Sequence, residues 1–167
     1  MSGGAWVTES ASVAETLALG RRLGAAARPA DVVALVGELG SGKTHLAKGM
    51  AEGLGAAPAR DVASPTFVLC HEFLDGRIPF YHLDAYRLHG AADLAAIGAE
   101  EMLEGDGLAA LEWADRAPEI LPEDHLEVRL EVTGTEARRL RLAAHGPRSA
   151  RLLTATRSGA RSSSGRG

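Results

Sequence analysis

Val32-Val33-Ala34-Leu35-Val36-Gly37-Glu38-Leu39-Gly40-Ser41-Gly42-Lys43-Thr44 joins five apolar residues to a complete G-x-x-x-x-G-K-[ST] motif. The motif is typical of a phosphate-binding loop when a strand precedes it and a helix follows, and residues 44–54 have the composition of a helix. The glycines let backbone N–H groups approach phosphate oxygens, and the helix N-terminus adds a partial positive charge. The stretch therefore predicts a site for a nucleoside triphosphate.

Each residue type in this loop has an expected role. Lys43 is expected to reach the outer phosphates, and the hydroxyl of Thr44 is expected to bind Mg²⁺. The loop residues predicted to contact the nucleotide are Gly37, Leu39, Gly40, Ser41, Gly42, Lys43 and Thr44.

The bulk composition indicates one domain that is not in a membrane. The chain has 167 residues, of which 46% are hydrophobic, enough for a single core. No apolar run approaches the roughly 18 residues of a membrane span, and residues 1–6 lack the pattern of a secretion signal. With Cys70 as its one cysteine, the chain has no internal disulfide, and we expect a cytoplasmic protein.

Charge is distributed unevenly along the chain. The net charge is −4, but the residues from Pro147 onward carry five arginines and no acid. The remainder is therefore strongly acidic, which argues against a nucleic-acid face on the folded body. The composition of residues 147–167 predicts a disordered Arg/Ser/Gly-rich tail after a P-loop domain at 1–146.

The order of the predicted elements indicates an α/β fold. A capping box at Ser12–Glu15 begins an amphipathic helix, Asp75-Gly76 separates two strand-like segments, and a third helix is expected at about 91–103. Residues 125–132 and 140–143 alternate in polarity and predict a closing antiparallel hairpin. We therefore expect a single P-loop NTPase domain, with a mixed central sheet, flanking helices and a C-terminal antiparallel hairpin.

Two acids follow short apolar runs, as expected for residues at strand ends. Asp84 follows residues 78–83, and Glu112 follows residues 108–111. If both strands run parallel to the strand before the phosphate loop, both carboxylates lie beside it. One acid could hold Mg²⁺ and the other could orient the attacking water. The chain contains neither Asn nor Gln, which removes the usual guanine-reading motif and the usual water-orienting glutamine of GTPases.

Ser64-Pro65-Thr66 forms a further candidate contact. Pro65 biases Ser64 toward extended backbone, so the hydroxyls of Ser64 and Thr66 are candidates for contacting the γ-phosphate or its Mg²⁺ as a switch. The residues that hold the adenine are not defined by any motif; residues 12–16 and Arg138 are candidates.

Four motifs in this order resemble the TsaE (YjeE) family: the phosphate loop, Ser64-Pro65-Thr66-Phe67, His82-Leu83-Asp84-Ala85-Tyr86-Arg87-Leu88 and Leu111-Glu112-Trp113. The likeness covers about residues 8–145. It implies a cytoplasmic ATPase of bacterial tRNA threonylcarbamoyladenosine (t6A) synthesis that works with TsaB and TsaD and contacts tRNA only through them. It also implies ATP and Mg²⁺ as cofactors, and catalytic roles for Lys43, Asp84 and Glu112, with Thr44, Asp84 and Glu112 as the metal ligands.

Two other classes of function fit the phosphate loop. A small-molecule or nucleoside kinase would need an acceptor pocket and usually a lid of arginines, and outside the tail the candidate pair is Arg138-Arg139. A non-catalytic ATP-dependent binding module would need no hydrolysis.

Overall fold

A computed structural model describes residues 4–56, 70–85 and 99–164 of the chain. The strands within these ranges are β1 (Ala5–Ser10), β2 (Val32–Val36), β3 (Cys70–Phe73), β4 (Phe80–Asp84), β5 (Leu108–Glu112), β6 (Leu126–Val132) and β7 (Arg138–Ala144). The helices are α1 (Val13–Ala26), α2 (Lys43–Gly53), α3 (Ala99–Leu103) and α4 (Pro147–Ser164), with short 3₁₀ turns at Ala114–Arg116 and Pro118–Ile120.

One mixed sheet organises the described residues, with the strand order β1-β7-β6-β2-β5-β4-β3. Strand β2 lies at its centre and pairs in parallel with β5 and with β6, while β4 pairs in parallel with β5. The pairs β3–β4, β6–β7 and β1–β7 are antiparallel. The expected mixed sheet, the β3–β4 hairpin and the C-terminal hairpin are confirmed.

Both faces of the central strands are covered, which explains why β2 and β5 are buried throughout and why their residues are apolar apart from Glu112. On one face, side chains of α1, α2 and α4 form a core with β2, β6 and β7. On the other face, α3 and the two 3₁₀ turns pack against β2, β4 and β5. The strand expected from Thr66 and the helix expected from residue 91 are described only in part, as β3 and α3.

Helices α1 and α2 approach each other closely through glycines. A Cβ atom at Gly49 would overlap the carbonyl oxygen of Leu17, and one at Gly20 would overlap that of Leu46. The capping box at the start of α1 is confirmed, since the Ser12 side chain accepts a hydrogen bond from the backbone N–H of Glu15. Because α2 begins inside the phosphate loop, the close packing of α1 on α2 fixes the position of the helix that follows the loop.

The expectation of disorder from residue 147 is wrong, because residues 147–164 form α4. Leu152 and Leu153 are buried against α1 and the β6–β7 hairpin, and Thr156 lies on the same side of the helix. Asp124 caps the helix by accepting from the backbone N–H groups of Arg148 and Ser149. These apolar positions at helical spacing outweigh the Arg- and Ser-rich composition. Neither α4 nor any other helix in the described ranges is long and apolar enough to cross a membrane.

Candidate nucleotide-binding site

The phosphate loop connects β2 to α2 at the edge of the sheet where the parallel strands end. Gly42 precedes α2 with φ of 101°, a left-handed conformation that favours glycine. Gly42 provides no side-chain cap for this end of α2, and no side chain in the described ranges accepts a hydrogen bond from the first backbone N–H groups of the helix. Unpaired N–H groups at a helix N-terminus are a binding site for phosphate oxygens.

The ammonium group of Lys43 lies inside the loop. Its Nζ donates to the carbonyl oxygens of Gly37 at 2.5 Å and Glu38 at 2.9 Å. It also lies 3.8 Å from the centre of the Trp113 ring. Burial lowers the pKa of Lys43, and the negative charges of Glu112, Asp115 and Asp84 oppose that shift. An ammonium group at this position can bind a phosphate that enters the loop.

Glu112 lies directly beside Thr44, in agreement with the sequence-based placement of its strand. The hydroxyl of Thr44 donates to Oε1 of Glu112 at 3.3 Å and lies 3.4 Å from Oε2. The Glu112 side chain is only 3% exposed, and its Oε2 lies 2.5 Å from Nε2 of His82. Thr44 and Glu112 therefore meet although 68 positions separate them in the chain.

Asp84 is the last residue of β4 and lies next to Glu112, the last residue of β5. It is the register partner of Glu112 in the parallel β4–β5 pair, and it is 6% exposed. Asp84 also contributes to the electrostatic environment of Lys43. The two acids that were expected at strand ends thus share one edge of the sheet with the phosphate loop.

The donor set at this edge fits magnesium. Thr44 offers a hydroxyl oxygen, and Glu112 and Asp84 offer carboxylates, which are the hard oxygen ligands that Mg²⁺ prefers. The described residues contain no group of three or more His, Cys, Asp or Glu side chains placed to hold a metal by themselves. A small number of protein ligands is typical of magnesium sites that are completed by nucleotide phosphates and water.

Three residues around the loop have contacts that their sequence patterns did not reveal. Trp113 adopts a left-handed backbone with φ of 59°, which is uncommon for a bulky residue, and its ring contacts Lys43. His82 is fully buried against Glu112. Arg138 reaches the phosphate loop from β7, where it contacts backbone carbonyls. Ser64 and Thr66, the expected switch residues, lie outside the described residues.

The fold is that of a P-loop NTPase, because its strand–loop–helix connection starts from a central parallel strand. The acids beside Thr44 complete a site of the kind that binds nucleotides. The family model described as "Threonylcarbamoyl adenosine biosynthesis protein TsaE" matches residues 10–140, and the chain belongs to the TsaE family. The resemblance noted in the sequence is thereby confirmed.

Individual relatives agree with this assignment. The protein named "tRNA threonylcarbamoyladenosine biosynthesis protein TsaE" from Bacillus subtilis is 40% identical over 134 residues, which cover 80% of this chain and 82% of the relative. The protein of the same name from Streptomyces coelicolor is 43% identical over 115 residues, or 68% of this chain and 76% of that one. The crystal structure of Bacillus subtilis YdiB superposes with a TM-score of 0.79 at 31% identity, covering 95% of this chain and 97% of YdiB.

Proposed function

We propose that this protein is the ATP-binding and ATP-hydrolysing subunit that supports t6A modification of tRNA by cycling a TsaB–TsaD complex. One observation carries the ATPase part of the proposal: the hydroxyl of Thr44, at the start of α2, contacts the buried carboxylate of Glu112 beside Asp84. A hydroxyl and two acids next to a phosphate loop are the parts that P-loop ATPases use. The names of the relatives support the link to t6A.

In this proposal each side chain has one task. Lys43 and the backbone N–H groups of the loop bind the β- and γ-phosphates of ATP. Thr44 and Glu112 hold Mg²⁺, because they already lie together, and bound Mg²⁺ would offset the negative charge that develops on the phosphates. Asp84 accepts a hydrogen bond from the attacking water and so orients it toward the γ-phosphate.

Supporting groups hold these side chains in place. His82 fixes one oxygen of Glu112, and the Trp113 ring holds the ammonium group of Lys43. Ser64 and Thr66 are proposed to contact the γ-phosphate as a switch. Because the chain has no glutamine to orient water, we expect slow hydrolysis by the isolated protein. The ATPase is proposed to act in the cytoplasm and to meet tRNA only through its partners.

Phosphate release from ATP, measured with the protein alone and with TsaB and TsaD added, tests the proposal. We expect slow release by the protein alone and faster release in the complex. Equal release with and without partners would contradict the cycling role, and no release in either case would leave only an ATP-binding module. Transfer of labelled γ-phosphate to a small-molecule acceptor instead of water would identify a kinase.

A further inference from the structure

The side chain of Arg138, at the start of β7, reaches across to the phosphate loop. Its Nε donates to the carbonyl oxygen of Ser41 at 3.0 Å, and its Nη2 donates to that of Gly40, also at 3.0 Å. The sequence separations are 97 and 98 positions. The guanidinium group therefore binds two consecutive carbonyls of the loop in a fork.

The remaining nitrogen of the same group binds the turn between β6 and β7. Nη1 donates to the carbonyl oxygen of Ala137 at 2.7 Å and to that of Gly134 at 3.1 Å. In the described ranges, every hydrogen bond of Arg138 goes to a backbone carbonyl, and no carboxylate lies within 4.0 Å of it. Among the residues that the structure describes, its positive charge therefore has no ion-pair partner.

These contacts fix the direction of loop N–H groups because a trans peptide unit is planar. No cis peptide bond occurs in the described residues, so the N–H of Gly42 points opposite to the carbonyl of Ser41. By holding the carbonyl of Ser41, Arg138 aims the N–H of Gly42 away from itself. The N–H of Ser41 donates to the carbonyl of Glu38, which closes the turn of the loop.

We propose that Arg138 is a positioning residue for nucleotide binding, one that locks the phosphate loop in its binding conformation by joining it to the β6–β7 turn. This inference rests on the proposed function, since it assumes that the loop binds nucleoside phosphates. It replaces the role of adenine contact that the sequence left open for Arg138, because the hydrogen bonds of its side chain within the described part of the chain all go to backbone carbonyls. The expected ligand group is the pyrophosphate portion shared by ATP and ADP.

The test compares nucleotide affinity in Arg138→Ala, Arg138→Lys and the matched control Arg77→Ala. Arg77 also donates to backbone carbonyls, those of Gly24 and Ala27 at the end of α1, so Arg77→Ala removes hydrogen bonds of the same kind away from the phosphate loop. The Kd for ATP and ADP is measured by calorimetry, and kcat is measured at saturating ATP. We expect Arg138→Ala to raise both Kd values at least about tenfold, because hydrogen bonds from a charged donor are lost.

The kcat values and the two other variants distinguish a positioning role of Arg138 from a catalytic role and from a general loss of positive charge. For Arg138→Ala we expect kcat at saturating ATP to stay within about twofold of wild type. The Kd values of Arg77→Ala should match those of wild type. Those of Arg138→Lys should remain raised, since an ammonium group cannot form the planar fork. If Arg138→Ala melts below the assay temperature, Arg138→Lys carries the test.

Three results would overturn the inference: a folded Arg138→Ala variant with the Kd of wild type, full affinity in Arg138→Lys, or a changed preference between ATP and GTP. The last result would assign Arg138 to the base. Failure of the wild-type protein itself to bind ATP would instead overturn the proposed function.

Discussion

His82 and Glu112 form a buried pair in which Nε2 of the imidazole lies 2.5 Å from Oε2 of the carboxylate. Because a carboxylate can only accept, Nε2 of His82 donates in this contact. Nδ1 of His82 is buried and has no hydrogen-bond partner among the described residues. Within the described ranges the imidazole therefore makes one polar contact, and that contact fixes the rotation of the Glu112 carboxylate next to Thr44.

His82→Phe is expected to slow hydrolysis without weakening nucleotide binding. The phenyl ring keeps the stacking on Phe80, but Glu112 loses the donor that orients it. Loss of such a partner typically costs about tenfold to 100-fold in activity. Steady-state kinetics should show a lower kcat with an unchanged Kd for ATP. His71→Phe, at the register partner of His82 on β3, is the control and should behave as wild type. If His82→Phe keeps the kcat of His71→Phe and wild type, His82 only fills space in the core.

Glu112→Gln and Asp84→Asn are expected to have different effects, because the two acids are proposed to have different roles. Glu112 contacts the hydroxyl of Thr44, so its loss should raise the Mg²⁺ concentration needed for half-maximal ATPase activity. Asp84→Asn should lower kcat while leaving the Mg²⁺ requirement unchanged, because the amide is a poor proton acceptor. A Mg²⁺ titration of phosphate release measures both effects. If Asp84→Asn shifts the Mg²⁺ requirement and Glu112→Gln does not, the proposed roles are exchanged.

Gly49→Ala is expected to destabilise the fold by about 1–3 kcal/mol, the usual range for overpacking. The added methyl group would overlap the carbonyl oxygen of Leu17 and force α1 away from α2. Gly159→Ala is the matched control, since a Cβ there would meet no atom closer than 3.7 Å. Urea unfolding of both variants measures the free energy of unfolding. If the free energy of unfolding of Gly49→Ala is similar to that of wild type, α1 and α2 can move apart without cost to accept the added methyl group.

Asp124→Ala is expected to reduce stability at neutral pH by about 1 kcal/mol, the usual cost of losing a helix cap. Burial alone would raise the pKa of Asp124, but hydrogen bonds from Ser149 and the charge of Arg148 outweigh it, and the pKa is lowered. A lowered pKa stabilises the fold above the ordinary carboxyl value of 3.8. This contribution is lost as the pH falls through the folded-state pKa.

Thermal melting of Asp124→Ala and wild type at a series of pH values checks this expectation. The difference in Tm should be largest near pH 7 and should narrow in acid. Glu123→Ala, at an exposed neighbouring acid, should leave the Tm near that of wild type at each pH. A gap between Asp124→Ala and wild type that does not change with pH would show that the Asp124 carboxylate charge is irrelevant to α4.

The sequence predicted the centre of the fold better than its edges. Strand β2, the phosphate loop and α2 carry strong local patterns, and the acids Asp84 and Glu112 could be placed from strand ends alone. Strand β1 was not predicted, because its edge position leaves residues such as Val7 exposed and weakens the alternation. Helix α4 was not predicted because its Arg- and Ser-rich composition is typical of disorder, although the apolar residues Leu152 and Leu153 indicated a buried helix face.

Long-range contacts were the part of the site that the sequence could not provide. In the sequence His82 is only one residue of the motif that contains Asp84, and its contact with Glu112 depends on the pairing of β4 with β5. The contact of Arg138 with Ser41 depends on the position of β7 two strands from β2. Local periodicity carries no information about such pairings, so only the folded chain reveals them.

Repeated rounds of tRNA modification test the central claim most directly. A reconstituted reaction with TsaB, TsaD, tRNA and ATP is supplied with either wild-type protein or Lys43→Ala, and t6A formed per TsaD is counted over time. We expect wild type to sustain many rounds and the folded Lys43→Ala variant to stop after about the first, because without the loop lysine the phosphates are not bound. Sustained modification with folded Lys43→Ala would contradict the account.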